Sequence, residues 1–442
     1  MTFAEAQQFL YGFVNWERKG GRPTDPGDIA RFRGFLNSLG DPHRGFESVL
    51  VVGTNGKGSV CAMLAAMLRK AGRRVGLYTS PHLVSLTERI QVNGRPISEY
   101  DFAHGVGELA SALGSAAADL DGYRTTFELL TALAFTHFSR AGVDIAVIEA
   151  GLGARLDATA VIDPVLSIIT PIHLDHTATL GRTLAVITRD KAAAIRRGVP
   201  LVTAPQLSPV HAVLREEAEA ARPASWTRVG VDIRYRGRPG ADGFHAVSLR
   251  DRGWRCTVDR APLRGAHQAA NAATAVAAFR RLTPEASQEL VREGLAATRW
   301  PGRLDVQPGR PTILLDGAHN PHGARTLARF LDRWDYLQGR PRVVLLAIST
   351  GKDARRLLEI LRPHADTLIA CQAVEQRGLP AEEVGRMASA AGFSAVAVKR
   401  PDEALACARR AAGSDGVVIA CGSLYLVGAV AEALGLHQDW WH

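Results

Sequence analysis

At 442 residues, 46% hydrophobic and 22% charged, the chain exceeds what one hydrophobic core organises, supplies material for two or three, and excludes a largely disordered polymer. The net charge of +9, from 53 Lys and Arg against 44 Asp and Glu, fits either a nucleic-acid binder or a protein that attracts polyanionic small molecules. Basic residues are spread along the chain, with one modest cluster at 250–265 and no zinc-finger or RNP-like motif beside it, so a solvated surface without a nucleic-acid partner is expected.

The first segment, MTFAEAQQFLYGFVNWERKG, carries Glu5 and Glu17 among its apolar residues and reads as an amphipathic helix rather than a signal peptide. No stretch reaches membrane-spanning length. The five cysteines lie far apart, with no CxxC pair or His/Cys cluster, which fits a reducing cytoplasm. Next, SVLVV (48–52), RRVGLYT (73–79), DIAVIEA (144–150) and VLSIIT (165–170) read as buried strands. Helical patterns such as VCAMLAAMLRKAG and LLTALAFTHFSRAG separate them, and Gly72 and Gly142 are suitable C-terminal stops. Strands alternating with helices predict a parallel sheet built from βαβ units. Between 228 and 262 the pattern turns to period-two alternation, predicting a small antiparallel hairpin appended to that sheet. The Pro- and Gly-rich stretch WPGRLDVQPGRPT (300–312) marks a boundary. Beyond it a fresh α/β series, TILLD, RVVLLAI, DTLIAC, SAVAV and GVVIAC, predicts a second, Rossmann-like domain. The expected division is therefore 1–299 and 300–442.

The segment VLVVGTNGKGSVCAMLAAML runs from an apolar strand through GTNGKGS into a helix, the setting a phosphate-binding loop requires. Glycines let backbone amides approach phosphate oxygens, Lys57 can reach the outer phosphates, and Ser59 can bond phosphate or metal. The loop departs from the standard P-loop pattern at Val51 and Gly58. In open α/β sheets ligands gather at the carboxyl ends of strands, and those ends are polar here. Thr79, Ser80 and His82 close one strand; Glu149 closes another; Asp175 and His176 follow a third. Glu149 offers a hard oxygen ligand for magnesium. His176 reads equally as a ligand or as a helix-capping histidine, and Lys191, in an amphipathic helix, reads on its own as a solvated lysine.

Taken together, these residues resemble the folylpolyglutamate and dihydrofolate synthases, a branch of the Mur ligase superfamily. The resemblance rests on GTNGKGS (53–59), TSPHL (79–83) with ERI (88–90), TTFE (125–128), EAGLGARLDA (149–158), LDH (174–176), HQAANA (267–272), PGR (301–303), DGAHNP (316–321) and CGSLYLVG (421–428). It departs from the family pattern at Ala154, Ala160 and RDKAA, away from the metal and phosphate positions. The resemblance implies an α/β fold with an N-terminal P-loop Mur-ligase-type ATPase domain, carrying a parallel sheet and a small antiparallel appendage, and a C-terminal Rossmann-like domain. It further implies that Gly56, Lys57, Gly58 and Ser59 hold the ATP phosphates, with Asn271, Arg303 and Asp316 completing the nucleotide site. Ser80, Glu149 and His176 would hold two magnesium ions, Lys191 would be carbamylated, and His319 would lie near the reacting phosphate. Thr125, Thr126, Phe127, Glu128, Leu156, Asp157 and Ala158 would form the pteridine pocket. The implied reaction activates dihydropteroate or a reduced folate as an acyl phosphate at the expense of ATP and joins it to L-glutamate, in a cytoplasmic enzyme expected to be a monomer. Cell-wall Mur ligases use similar chemistry but carry a nucleotide-sugar domain before the loop, and only 52 residues precede Gly53. A nucleic-acid-linked P-loop ATPase is the remaining alternative.

Overall fold

Strand β1 (Glu47–Val52) is ESVLVV, five of whose six residues are buried, and it is apolar on both faces because helices cover both. Val49 and Val51 join the core formed with the Lys57–Lys70 helix, while Leu50 and Val52 join the core formed with the Thr126–Arg140 helix. The computed structural model describes the chain except residues 16–26, 115–123, 252, 375–376, 439 and 441–442. The first helix spans Phe3–Gly12, closed at its start by a Thr2/Glu5 capping box; Glu17 lies outside the described residues.

β1 is central to an eight-stranded sheet made with β2 (Val75–Tyr78), β3 (Ile90–Val92), β4 (Arg95–Pro96), β5 (Ile145–Glu149), β6 (Leu166–Ile169), β7 (Leu201–Thr203) and β8 (Trp226–Arg228). Its order is β4-β3-β2-β5-β1-β6-β7-β8. β1 pairs in parallel with β5 on one side and β6 on the other. The four strands expected from sequence are β1, β2, β5 and β6; the β3–β4 antiparallel edge, β7 and β8 are additions.

Alternation near residue 240 produces three strands rather than two. β9 (Arg234–Pro239), β10 (His245–Asp251) and β11 (Trp254–Val258) form a separate antiparallel sheet, packed through Val247, Leu249, Cys256 and Val258 on the core of the His267–Leu282 helix. A six-stranded sheet follows, with β12 (Asp305–Gln307), β13 (Thr312–Leu315), β14 (Arg342–Leu346), β15 (Thr367–Ala370), β16 (Ser394–Ala397) and β17 (Val417–Cys421) in the order β12-β13-β17-β14-β15-β16. β13 to β17 are the five expected strands, all parallel; β12 is an antiparallel edge hidden in the Pro- and Gly-rich stretch. Among the described residues, no helix is long and apolar enough to cross a membrane.

Carboxyl ends of strands from both large sheets open onto one cleft of about 540 Å³. Its walls come from the turns after β1, β2, β5, β6 and β7 on one side and after β13, β14 and β17 on the other. That placement is where ligands of open α/β sheets bind.

Candidate active site between the two large sheets

After Val52 the chain must turn sharply from strand into helix, and glycine makes the turn possible. Gly53 has φ +147°, and a Cβ there would lie 1.9 Å from Thr170 Oγ1; Gly56 has φ +85° and caps the Lys57–Lys70 helix. The first amides of that helix therefore face the cleft without a side-chain cap, an anion site of the kind helix N-termini provide. Gly56, Lys57, Gly58 and Ser59 all line the cleft, as do Ser80, Glu149, His176, Asn271, Arg303, Asp316 and His319.

Glu149 ends β5 with its side chain buried. Its Oε2 accepts from the Ser80 amide at 3.3 Å and its Oε1 lies 3.8 Å from Lys57 Nζ. Burial pushes its pKa up, against the pull of Lys57 and the Ser80 amide. A buried carboxylate so thinly compensated has the chemistry to hold a cation. His176 sits at φ +50°, a left-handed conformation that is costly for a non-glycine residue and turns its ring toward the cleft. Burial, and then the charge of Lys352, lower its pKa to about 3, so the imidazole is neutral at physiological pH, as a metal ligand must be. Among the described residues no three His, Cys, Asp or Glu side chains cluster closely enough to cage a metal. Magnesium keeps waters and shares substrate phosphates rather than demanding an all-protein cage, and the Glu149 carboxylate and Ser80 hydroxyl are oxygen donors of the kind it takes.

Lys191 is not on the cleft wall but directly behind it. It is buried, and its Nζ donates to the Gly53 carbonyl at 2.9 Å, so the solvated-lysine reading is overturned. Burial first, and then the nearby positive Lys57, lower its pKa to about 7.

From the other side, Asp316 Oδ2 and Oδ1 accept the Leu304 and Ala318 amides, each at 2.9 Å, and burial raises its pKa against the pull of Arg303. Arg303, half-buried, packs so close to Gly317 that a Cβ there would touch its guanidinium. His319 Nδ1 lies 2.8 Å from the Gly317 carbonyl, and its Nε2 is 3.5 Å from Asp175 Oδ2.

Asp175 joins the two sides and was not assigned a role from sequence. Its carboxylate pairs with Lys352, accepts from Asn320 Nδ2 at 3.0 Å and faces His176 and His319. Burial alone would raise its pKa, but the His319 hydrogen bond and the charge of Lys352 hold it well below the usual carboxylate range. Asn320 also donates to Asn55 Oδ1 at 3.2 Å, Asn55 Nδ2 meets His322 Nδ1 at 3.2 Å, and the rings of His173 and His322 stack 3.5 Å apart. Lys352, Asn320, Asn55 and His322 are the residues sequence reasoning missed. One clue was present: the STGKD segment holding Lys352 follows an apolar strand, as GTNGKGS does.

The seven residues expected around a pteridine do not line this cleft. Thr125 and Glu128 form a capping box, Thr126 Oγ1 donates to the Leu10 carbonyl at 2.9 Å, and Asp157 accepts from the Leu152 amide and from Thr159. Ala158 is buried, and Leu156 adjoins Asp157 in the same loop. Phe127 comes nearest, packing on Gly151, a cleft residue; with Thr126 it also lines a cavity of about 10 Å³ shared with His82, Arg89 and Tyr425.

A phosphate-type turn on one α/β unit, facing strand ends of a second unit across a shared cleft, places the chain among the Mur-ligase-like two-domain α/β proteins. A family model described as "Dihydrofolate synthetase, C-terminal domain" matches residues 304–434. The chain is 38% identical over 438 residues to a probable bifunctional folylpolyglutamate synthase/dihydropteroate synthase of Haloferax volcanii, covering 97% of this chain and 50% of that protein. It thus spans about half the length of relatives of that bifunctional kind. It is 31% identical over 441 residues to the dihydrofolate synthase/folylpolyglutamate synthase of Bacillus subtilis, covering 98% of this chain and 99% of that one. A solved structure of Mycobacterium tuberculosis folylpolyglutamate synthase complexed with ADP matches with a TM-score of 0.88 at 31% identity, covering 98% of each chain. The chain belongs to the dihydrofolate synthase/folylpolyglutamate synthase family.

Proposed function

We propose that this chain is an ATP- and magnesium-dependent ligase that joins L-glutamate to dihydropteroate, to a reduced folate (poly)glutamate, or to both, through an acyl phosphate, releasing ADP and phosphate. One observation carries the reading: the phosphate-type turn at 53–59 and the residues Arg303, Asp316, His319 and Lys352 line a single cleft from opposite sides. In this reading the chain divides into an ATP-binding unit, 1–299, and a C-terminal unit, 300–442, and works as a cytoplasmic monomer.

A carboxylate is a poor acyl donor, so it must first take the γ-phosphoryl group of ATP. The amides at the start of the Lys57–Lys70 helix, with Lys57 and Ser59, hold the phosphates, and the Lys57 ammonium neutralises charge that develops during transfer. Ser80, Glu149 and His176 would hold magnesium, which when bound would supply positive charge at the transferring group. Asn271, Arg303 and Asp316 complete the nucleotide site, while the pteridine approaches from the side where Phe127 packs on Gly151. The incoming glutamate amine attacks the acyl carbon and inorganic phosphate departs. His319, fixed by the Gly317 carbonyl, stands where it meets the reacting phosphate. Residues of both units surround the acyl phosphate and exclude water.

Lys191 supports a further element. A buried amine with a pKa of about 7 is uncharged in a substantial fraction of molecules near neutral pH, and that neutral amine can add to CO2, losing a proton and becoming a carbamate. Its place behind Gly53 would bring that carboxylate up to the metal shell.

The deciding experiment measures ADP release and ligated glutamate with dihydropteroate and with a reduced folate monoglutamate as alternative acceptors. Product with either acceptor, dependent on ATP, magnesium and glutamate together, supports the proposal. Absence of product with both rejects it.

A further inference from the structure

The sheet β9–β11 lies off the cleft, and its two faces differ. Val247, Leu249, Cys256 and Val258 point inward and are buried. The register sets Arg234 opposite Arg250 and Arg250 opposite Arg255, and alternation along β9 adds Arg236 and Arg238 to the same outward face. All five arginines are exposed, with Ala246, Ser248 and Thr257 between them. In the linear sequence these residues look dispersed; the sheet gathers them.

Like charges directly opposite on neighbouring strands destabilise a sheet. Several surface arginines elsewhere are matched with acids, as in Arg140 with Glu108, Arg228 with Asp232, Arg260 with Asp242 and Arg400 with Asp402. Among the described residues, none of the five outward arginines has such an ion pair. Nearby acids are engaged elsewhere, Asp232 by Arg228 and Asp251 by Arg280, and Asp259 falls in the bend beyond β11. These five side chains account for more than half of the net +9.

We infer that this outward face docks the phosphate backbone of double-stranded nucleic acid. The five side chains spring from backbone positions about 4.8 Å apart across the strands and about 6.8 Å apart along them, and guanidinium forks bond phosphate oxygens two at a time. A protein partner would need aromatic or apolar anchors, and a single strand would need aromatic platforms for its bases. Ala246, Ser248 and Thr257 provide neither. The inference is independent of the ligase reading, because no residue of this sheet lines the cleft.

The test is fluorescence anisotropy of a short labelled duplex titrated with the full chain across a salt series. Five phosphate contacts give a slope of log K against log salt of about −4.5, and the triple variant R234A/R250A/R255A should bring it to roughly −1.8. The substitutions are on an exposed face and remove like-charge repulsion, so a melting temperature at or above that of the parent shows that the variant is folded. Excess MgATP, which would displace a duplex lodged in the cleft, should leave binding in place. Three results would each overturn the inference: no binding at low salt, an unchanged slope in the folded variant, or equal affinity for poly-L-glutamate at matched charge.

Discussion

At the scale of single residues, the cleft is governed by which charges are buried and what each one faces. Lys57 sets its ammonium at the mouth of the phosphate turn and next to Glu149, so Lys57→Ala should lower glutamate-dependent ATP hydrolysis by at least ~10²-fold while leaving the melting temperature nearly unchanged. Near-normal turnover in that variant would remove Lys57 from the mechanism. Lys191 gives a pH prediction whose sign follows from its depressed pKa. Above about 7 the amine is neutral and can carry CO2; below it the amine is protonated and cannot. Activity should therefore fall as pH drops through 7, and Lys191→Ala should be partly restored by added acetate or formate, whose carboxylate replaces the carbamate. A pH profile that is flat through this range, with no rescue, would leave Lys191 as a buried structural lysine donating to Gly53.

At the scale of elements, backbone geometry decides where those charges stand. Gly53 is fixed by contact as well as by φ: a Cβ would overlap the Thr170 hydroxyl and approach the Thr170 carbonyl to 2.9 Å. Gly53→Ala should therefore push the turn away from β6, costing about 1–3 kcal/mol of stability and weakening nucleotide affinity at least tenfold; melting and nucleotide titration measure the two effects. The strand and glycine pattern makes this element legible in sequence, because β1, its turn and the following helix are continuous in the chain. β3, β4, β7, β8 and β12 were not legible. They are two to three residues long, too short for periodicity to register, and they are strands because a neighbouring strand offers them a hydrogen-bonding edge. The Asp175–Lys352 pair was hidden for a different reason: its partners are 177 residues apart, and no local pattern records such a contact.

At the scale of the whole molecule, what matters is how firmly the second α/β unit is held against the first. Removing one partner of a buried ion pair strands the other, and both side chains here are at most 9% exposed, so Asp175→Ala should cost on the order of 3–5 kcal/mol. A double variant with Lys352→Met should recover much of that loss, which thermal melts can resolve. Apolar packing makes a second, independent attachment. The Leu424–Ala433 helix of the C-terminal unit passes so close to the loop after β2 that a Cβ on Gly428 would lie 1.8 Å from the Leu83 carbonyl oxygen. That loop cannot yield easily, because the Glu88 carboxylate accepts the amides of Leu83, Val84 and Ser85 at 2.8 to 2.9 Å. In Gly428→Ala the helix must therefore retreat, taking Ser423, Leu424 and Tyr425 away from the cleft wall they form. Each sheet keeps its own core, so the variant should remain folded but scatter X-rays as a more open particle, with kcat/KM reduced at least tenfold. An unaltered scattering profile with full activity would mean that the two units do not need this contact to close around the substrates.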